Sequence, residues 1–305
     1  MSGAAITDEA VRRALDASGV RPLRVTHLGE GYSASAYLLS MRGAADLVLR
    51  VPRRPIERSS QLLRREARLL RGLASYDLGI AIPRDMREVR DGRTFLGTLH
   101  RSVEGAPFPM GLRGAARERL CDGIGCYLAA LHAVPIEVAE RAGLVSVDLW
   151  QDVYRDLIAQ TLDHVGPATR TWLAATARAF ARRGTGAAPR VLVHGDLSRN
   201  HLFGDAQGHL LGAIDYGEAR IADPALDFAG VLNNLHWSDL ERVWVAYRAA
   251  GGVVDADAAR RARFYIAVVP LFRVLFGEAA EGPAERLGGV RQLAARAAAA
   301  TRRGG

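Results

Sequence analysis

The most specific chemistry in this 305-residue chain lies in one short stretch. Between Val193 and Phe228 stand His194-Gly195-Asp196, Asn200-His201, Ile214-Asp215-Tyr216-Gly217, Asp223-Pro224 and Asp227. Asp196 and Asp215 are 19 positions apart, at opposite ends of an expected hairpin, so a turn can bring both carboxylates to one cleft. Phosphoryl transfer needs such a pair. One carboxylate orients the acceptor hydroxyl and takes its proton, and the other holds Mg²⁺ on the nucleotide phosphates. A second metal ligand commonly follows the first aspartate, and Asn200 and His201 are the available choices. Asp223 and Asp227 read instead as residues that hold the loop and cap the next helix, and His194 as support for the loop.

The strings HGDLSRNHLF and AIDYGEARIADPALDFA together resemble the catalytic region of the aminoglycoside phosphotransferases, antibiotic kinases of protein-kinase-like fold. The family pattern is HGD, four residues, Asn or His, then ID with an aromatic residue, then D-P-x-x-D. The resemblance implies that Asp196 is the catalytic base and Asp215 the metal-binding aspartate. His201, five positions after Asp196, stands where most members have asparagine. A histidine there is similar to the aminoglycoside 2''-phosphotransferase and macrolide phosphotransferase branches. Imidazole is softer than an amide oxygen and an unusual Mg²⁺ ligand, so His201 acts directly or through a bound water. The resemblance further implies ATP or GTP as donor, Mg²⁺ as cofactor and an aminoglycoside hydroxyl as acceptor. A macrolide or a small hydroxylated metabolite is the alternative.

A kinase-like small lobe also needs a glycine-containing turn, a basic residue on the next strand and a helix glutamate. Gly29, Gly31 and Ser33, in Leu28-Gly29-Glu30-Gly31-Tyr32-Ser33, occupy the turn. Arg50 lies in the apolar strand LVLRVP, where a charge is costly unless paired, and Glu66 in the following helix is its natural partner. Arg50 is expected on the α- and β-phosphates with Glu66 fixing it, while Arg53 and Arg54 read as solvated. Leu99–Val103 is the expected hinge, with the main chain of Arg101 and Val103 reading the purine edge.

These residues must be positioned by two lobes. Leu23–Leu28, Ser35–Met41 and Leu47–Val51 read as strands, 58–73 as a helix, and Asp85–Val89 with Thr94–Arg101 as a hairpin around Asp91-Gly92. Thr7 is the expected cap of a first short helix, with Asp8 and Glu9 in its first turn. Gly105, Pro107 and Pro109 mark a linker. Helices are expected over 113–133, 148–165, 168–183, 239–250, 257–276 and 284–300, interrupted by the β-rich segment 190–223. The expected fold is α+β and bilobal: a β-rich, nucleotide-binding N-lobe over 1–102 and a mostly helical C-lobe over 103–305. The C-terminal helices should form the acceptor pocket. Asp239 and Glu241, with Asp255 and Asp257, are the acids available for a polycationic acceptor. Phe264, Tyr265, Leu271 and Phe272 are the apolar face available for a macrolide.

Composition narrows the rest. All 41 basic side chains are arginine, against 33 acidic ones, for a formal charge of +8. The absence of lysine excludes a Schiff-base lysine and a GK[ST] phosphate loop. The charge is spread along helices without interleaved aromatics, so no nucleic-acid partner is expected. No membrane and no protein partner are implied either. Cys121 and Cys126 read as small buried residues, and with the absence of a signal-type apolar run they suggest a reducing cytoplasm.

Overall fold

Alternation along one strand decides which way the key arginine points. In β3 (Leu47–Pro52), Leu49 is fully buried under the first helix, α1 (Glu9–Ser18), together with Val11, Ala14 and Leu15. Successive strand residues face opposite sides, so Arg50 turns to the other face, where α2 (Ile56–Leu73) lies. The computed structural model describes residues 9–304 apart from 32, 54, 187, 234 and 282. The expected cap at Thr7 and Asp8 therefore lies outside the described residues, as do Tyr32 and Arg54.

The small lobe is an antiparallel sheet in the order β1-β2-β3-β5-β4. Its other strands are β1 (Arg24–Glu30), β2 (Ala34–Ser40), β4 (Arg87–Asp91) and β5 (Thr94–Arg101). Its register pairs Arg50 with Ala36 on one side and Thr98 on the other. Gly97 permits the close approach of β3, since a Cβ there would sit 2.3 Å from the Arg50 carbonyl oxygen. α2 buries Leu63, Ala67, Leu70 and Leu73, at the spacing of one helical face, and carries Glu66 on that face.

The large lobe is mostly helical. Its chain order is β6 (Ala106–Pro107), α3 (Gly114–His132), α4 (Ile136–Arg141), a π-helical segment (Leu149–Tyr154), α5 (Arg155–Thr161) and α6 (Pro167–Ala181). Four short strands follow: β7 (Val191–Val193), β8 (Leu202–Gly204), β9 (Leu210–Ala213) and β10 (Arg220–Ala222). The C-terminal part is α7 (Ala225–Leu232), α8 (Trp237–Ala249), α9 (Ala258–Val268), α10 (Pro270–Glu281) and α11 (Pro283–Gly304). The expected hairpin between the two aspartates is β8–β9, and VLV belongs elsewhere, pairing with β10. The single helix expected over 257–276 is two, because Pro270 lacks the N–H that a continuous helix would need. Cys121 is buried but Cys126 is exposed. Five helical residues turn the chain by about 500°, so the two cysteines cannot share a face.

One buried ion-pair cluster fixes α9 against the chain that leads into α7. Arg261, 1% exposed, binds Asp223 through Nε at 2.7 Å and Asp255 through a terminal nitrogen at 2.6 Å. The Tyr265 hydroxyl donates to Asp223 at 2.9 Å, and Asp223 also accepts the N–H of Ala225 at the start of α7.

Candidate active site

The segment His194-Gly195-Asp196 leaves β7 through a turn that only glycine fits. Gly195 has φ +84°, and a Cβ there would stand 2.2 Å from the Glu218 carbonyl oxygen. Asp227, fully buried on α7, accepts the N–H groups of His194 at 2.8 Å and Gly195 at 2.9 Å. It also contacts His132 Nε2 at 3.1 Å, which ties the loop to α3. His194 donates from Nε2 to the Ile214 carbonyl at 3.0 Å, and burial pushes its pKa down. It is a neutral brace between the two aspartate segments.

Asp215 follows β9 with φ +63°, a conformation that costs a non-glycine residue about 1–2 kcal/mol. Local hydrogen bonds hold it there. Ile214 N–H donates to the His201 carbonyl at 2.9 Å, and Tyr216 N–H donates to Glu66 Oε1 at 3.1 Å. Burial opposes ionisation of Asp215, but the facing Arg50 guanidinium outweighs it and brings its pKa down to about 2. It is a carboxylate across the physiological range.

Arg50 links both lobes. One terminal nitrogen, Nη1, contacts both Glu66 oxygens at 2.6 and 2.7 Å, and the other, Nη2, reaches Asp215 Oδ1 at 3.1 Å. Glu66 thus holds the arginine and the backbone beside Asp215 at once. Arg65 adds a bond to the Gly217 carbonyl at 3.1 Å. His201 stands between the carboxylates: Nδ1 is 3.6 Å from Asp196 Oδ2, and Nε2 is 3.6 Å from Asp215 Oδ2. Its Nδ1 donates to the Asp196 carbonyl at 2.7 Å, which leaves Nε2 turned toward Asp215.

This pair fits a divalent cation. Nε2 of His201 and Oδ2 of Asp215 face each other across a gap that one ion can bridge, and Asp215 is ionised. Among the described residues no group of three or more His, Cys, Asp or Glu side chains gathers as a self-sufficient metal site. Phosphate oxygens and water would have to complete the shell, as is usual for Mg²⁺ on a nucleotide.

The glycine turn is braced by a residue that sequence reasoning set aside as solvated. Arg53 donates to the Gly31 carbonyl at 2.9 Å, pairs with Glu30 at 3.0 Å, and its N–H binds the Ser33 carbonyl. Gly31 N–H closes the turn on Ala34, and Gly29 sits in a β-bulge. In the hinge, Arg101 is turned to other work. Its N–H binds the Arg84 carbonyl and its guanidinium pairs with Asp85 at 2.9 Å. Val103 is buried beside Gly212 of β9.

A cavity of about 440 Å³ opens beside Asp196. Leu149, Val153, Tyr154, Leu226, Val269, Phe272 and Phe276 form its apolar wall. Its charged lining is Arg58, Arg220 and Arg273 against Asp196, Glu218 and Glu285. Arg220 pairs with Glu218, and Arg273 with Glu285 on α11.

The acids expected to make this pocket lie elsewhere. Asp239 is bound on both oxygens by Arg117, at 2.7 and 2.6 Å, and accepts the His236 N–H that starts α8. Glu241 accepts from Trp237 Nε1 at 2.9 Å. Asp255 serves Arg261, and Asp257 serves Arg183. Of the expected apolar face, Phe264, Tyr265 and Leu271 are core, and only Phe272 reaches the cavity. Alternating charges on an amphipathic helix carry no local sign of which ones a distant arginine will take.

Residues 24–265 match the model of the APH phosphotransferase enzyme family, which is most of the chain. The chain belongs to that family. Its fold is similar to that of APH(2")-IIIa solved with GDP and kanamycin, at a TM-score of 0.80, with 23% identity over 94% of this chain and 98% of that one. It is also similar to a type I macrolide 2'-phosphotransferase, at 0.72 and 24%, over 96% of this chain and 99% of that one. The macrolide 2'-phosphotransferase MphH of Brachybacterium faecium gives 0.72 and 23%, over 94% and 98%. A curated relative, the uncharacterized protein YcbJ of Bacillus subtilis (strain 168), is 38% identical over 65 residues, about a fifth of either chain (21%). Family membership and fold agree with the expected bilobal kinase-like architecture. Among the described residues no helix is long and apolar enough to cross a membrane.

Proposed function

We propose that this protein transfers the γ-phosphoryl group of GTP or ATP to a hydroxyl of a large antibiotic-type acceptor. The observation that carries the reading is the grouping of Arg50, Asp215, His201 and Asp196 along one cleft, with the acceptor-sized cavity opening at Asp196. Arg50, held by Glu66, binds the nucleotide phosphates. Val103 and its neighbours carry the purine, and the braced turn at Gly29, Gly31 and Ser33 covers the phosphates. His201 and Asp215 hold Mg²⁺, which when bound neutralises phosphate charge. Asp196 orients the acceptor hydroxyl and accepts its proton as the new P–O bond forms and the bond to the β-phosphate oxygen breaks.

The cavity lining supports an acceptor with a large apolar body and at most one positive charge, as in a macrolide, over a polycationic aminoglycoside. Of the three carboxylates among its described lining residues, two already have arginine partners, and the third is the proposed base. A nucleotide-consumption screen with GTP and ATP against kanamycin and erythromycin tests the reading. Acceptor-dependent turnover is expected with erythromycin and is lost in Asp196→Ala, while nucleotide binding survives. Turnover with neither drug, or full turnover in Asp196→Ala, refutes it.

A further inference from the structure

Among the described charged residues of the acceptor cavity, one comes from the other lobe. Arg58 lies in the first turn of α2, in the small lobe, yet lines the same cavity as Gly195, Asp196 and Glu218. The helix geometry explains its reach. Arg58 and Arg65 are seven residues apart, two turns on one face, and Arg65 already touches the large lobe at Gly217. Two turns nearer the N-terminus, the same face arrives about 10 Å farther along, over the cavity mouth.

The charge balance shows what this residue changes. Among the described lining residues, three guanidiniums face three carboxylates, so this set is neutral. Without Arg58 this set carries one net negative charge, that of Asp196, since Arg220 pairs with Glu218 and Arg273 with Glu285. We propose that Arg58 is a charge-selecting residue of the acceptor site: the small lobe uses it to close the cavity and to disfavour multiply cationic acceptors. This rests on the acceptor reading above. Arg58 is exposed, so its field is screened, and its effect grows with the number of positive charges on the acceptor. A singly charged macrolide is scarcely affected, whereas a drug protonated on several amines is repelled several times over.

The test is the ratio of kcat/KM for erythromycin to that for kanamycin at low ionic strength, in Arg58→Gln, Arg58→Glu and Arg58→Lys. The ratio should fall roughly threefold in Arg58→Gln and about tenfold in Arg58→Glu. It should stay at the wild-type value in Arg58→Lys, and the differences should shrink in high salt. Nucleotide affinity should be unchanged in all three, which a fold defect would not allow. An unmoved ratio in Arg58→Glu, or an equal loss for both drugs, overturns the proposal. Failure of the acceptor reading looks different: the wild-type protein itself would then prefer kanamycin or use neither drug.

Discussion

Replacing Arg50 separates a guanidinium-built site from a tolerated substitution. Its side chain is 13% exposed, and that of Glu66 is 2% exposed, so this is a buried pair. Arg50→Ala leaves Glu66 without its counter-charge, and removing one partner of a buried pair costs about 3–5 kcal/mol. Arg50→Lys is the more informative change. A lysine keeps the charge but offers a single nitrogen, whereas Arg50 uses Nη1 for Glu66 and Nη2 for Asp215. In the nucleotide complex lysine likewise forfeits one charge-assisted hydrogen bond to phosphate, which costs about 1.5–3 kcal/mol, roughly 10- to 150-fold in the binding constant. Nucleotide affinity, measured by calorimetry with GTP and ATP, should fall by that factor in Arg50→Lys. Urea denaturation should show a stability loss several times larger in Arg50→Ala than in Arg12→Ala, an exposed arginine of α1. Arg50→Ala combined with Glu66→Gln should recover part of that loss, because the buried charge has gone. Wild-type nucleotide affinity in Arg50→Lys would refute the argument and mean that another arginine serves the phosphates.

Further consequences follow from the same structure. His100 is buried, and burial lowers its pKa from 6.5 to about 4, so the unfolded chain takes up its proton first on acidification. Stability should be intact above pH 6.5 and fall between pH 6.5 and 4 by up to about 3 kcal/mol, and this part of the slope should vanish in His100→Asn. His201→Ala should raise the Mn²⁺ concentration needed for half-maximal binding, followed by electron paramagnetic resonance with nucleotide present, by about 10- to 100-fold, and His201→Asn by less. Arg261→Met strands Asp223 in the core and should destabilise the protein by about 3–5 kcal/mol in urea denaturation. Gly195→Ala should abolish turnover while nucleotide binding persists, since its Cβ would drive the Asp196 loop off Glu218.

The chain order of residues carried much of this site. The spacing of Asp196, His201 and Asp215, and the charge of Arg50 inside an apolar strand followed by Glu66 in a helix, are local patterns, and local patterns are what period and turn chemistry encode. The strand alternation that turns Arg50 toward α2, and the glycine that the turn before Asp196 demands, follow from the same short-range physics. Tertiary structure alone decided the partners of the charges that no local rule distinguishes. Asp239 went to Arg117, Arg101 to Asp85, and Arg53 to the glycine turn. It also assembled the cavity beside Asp196 from residues between Arg58 and Glu285, which no periodicity relates. Ion pairing in a folded chain depends on distance in space and on burial, and in a sequence whose every basic residue is arginine, residue type cannot say which guanidinium will meet which carboxylate.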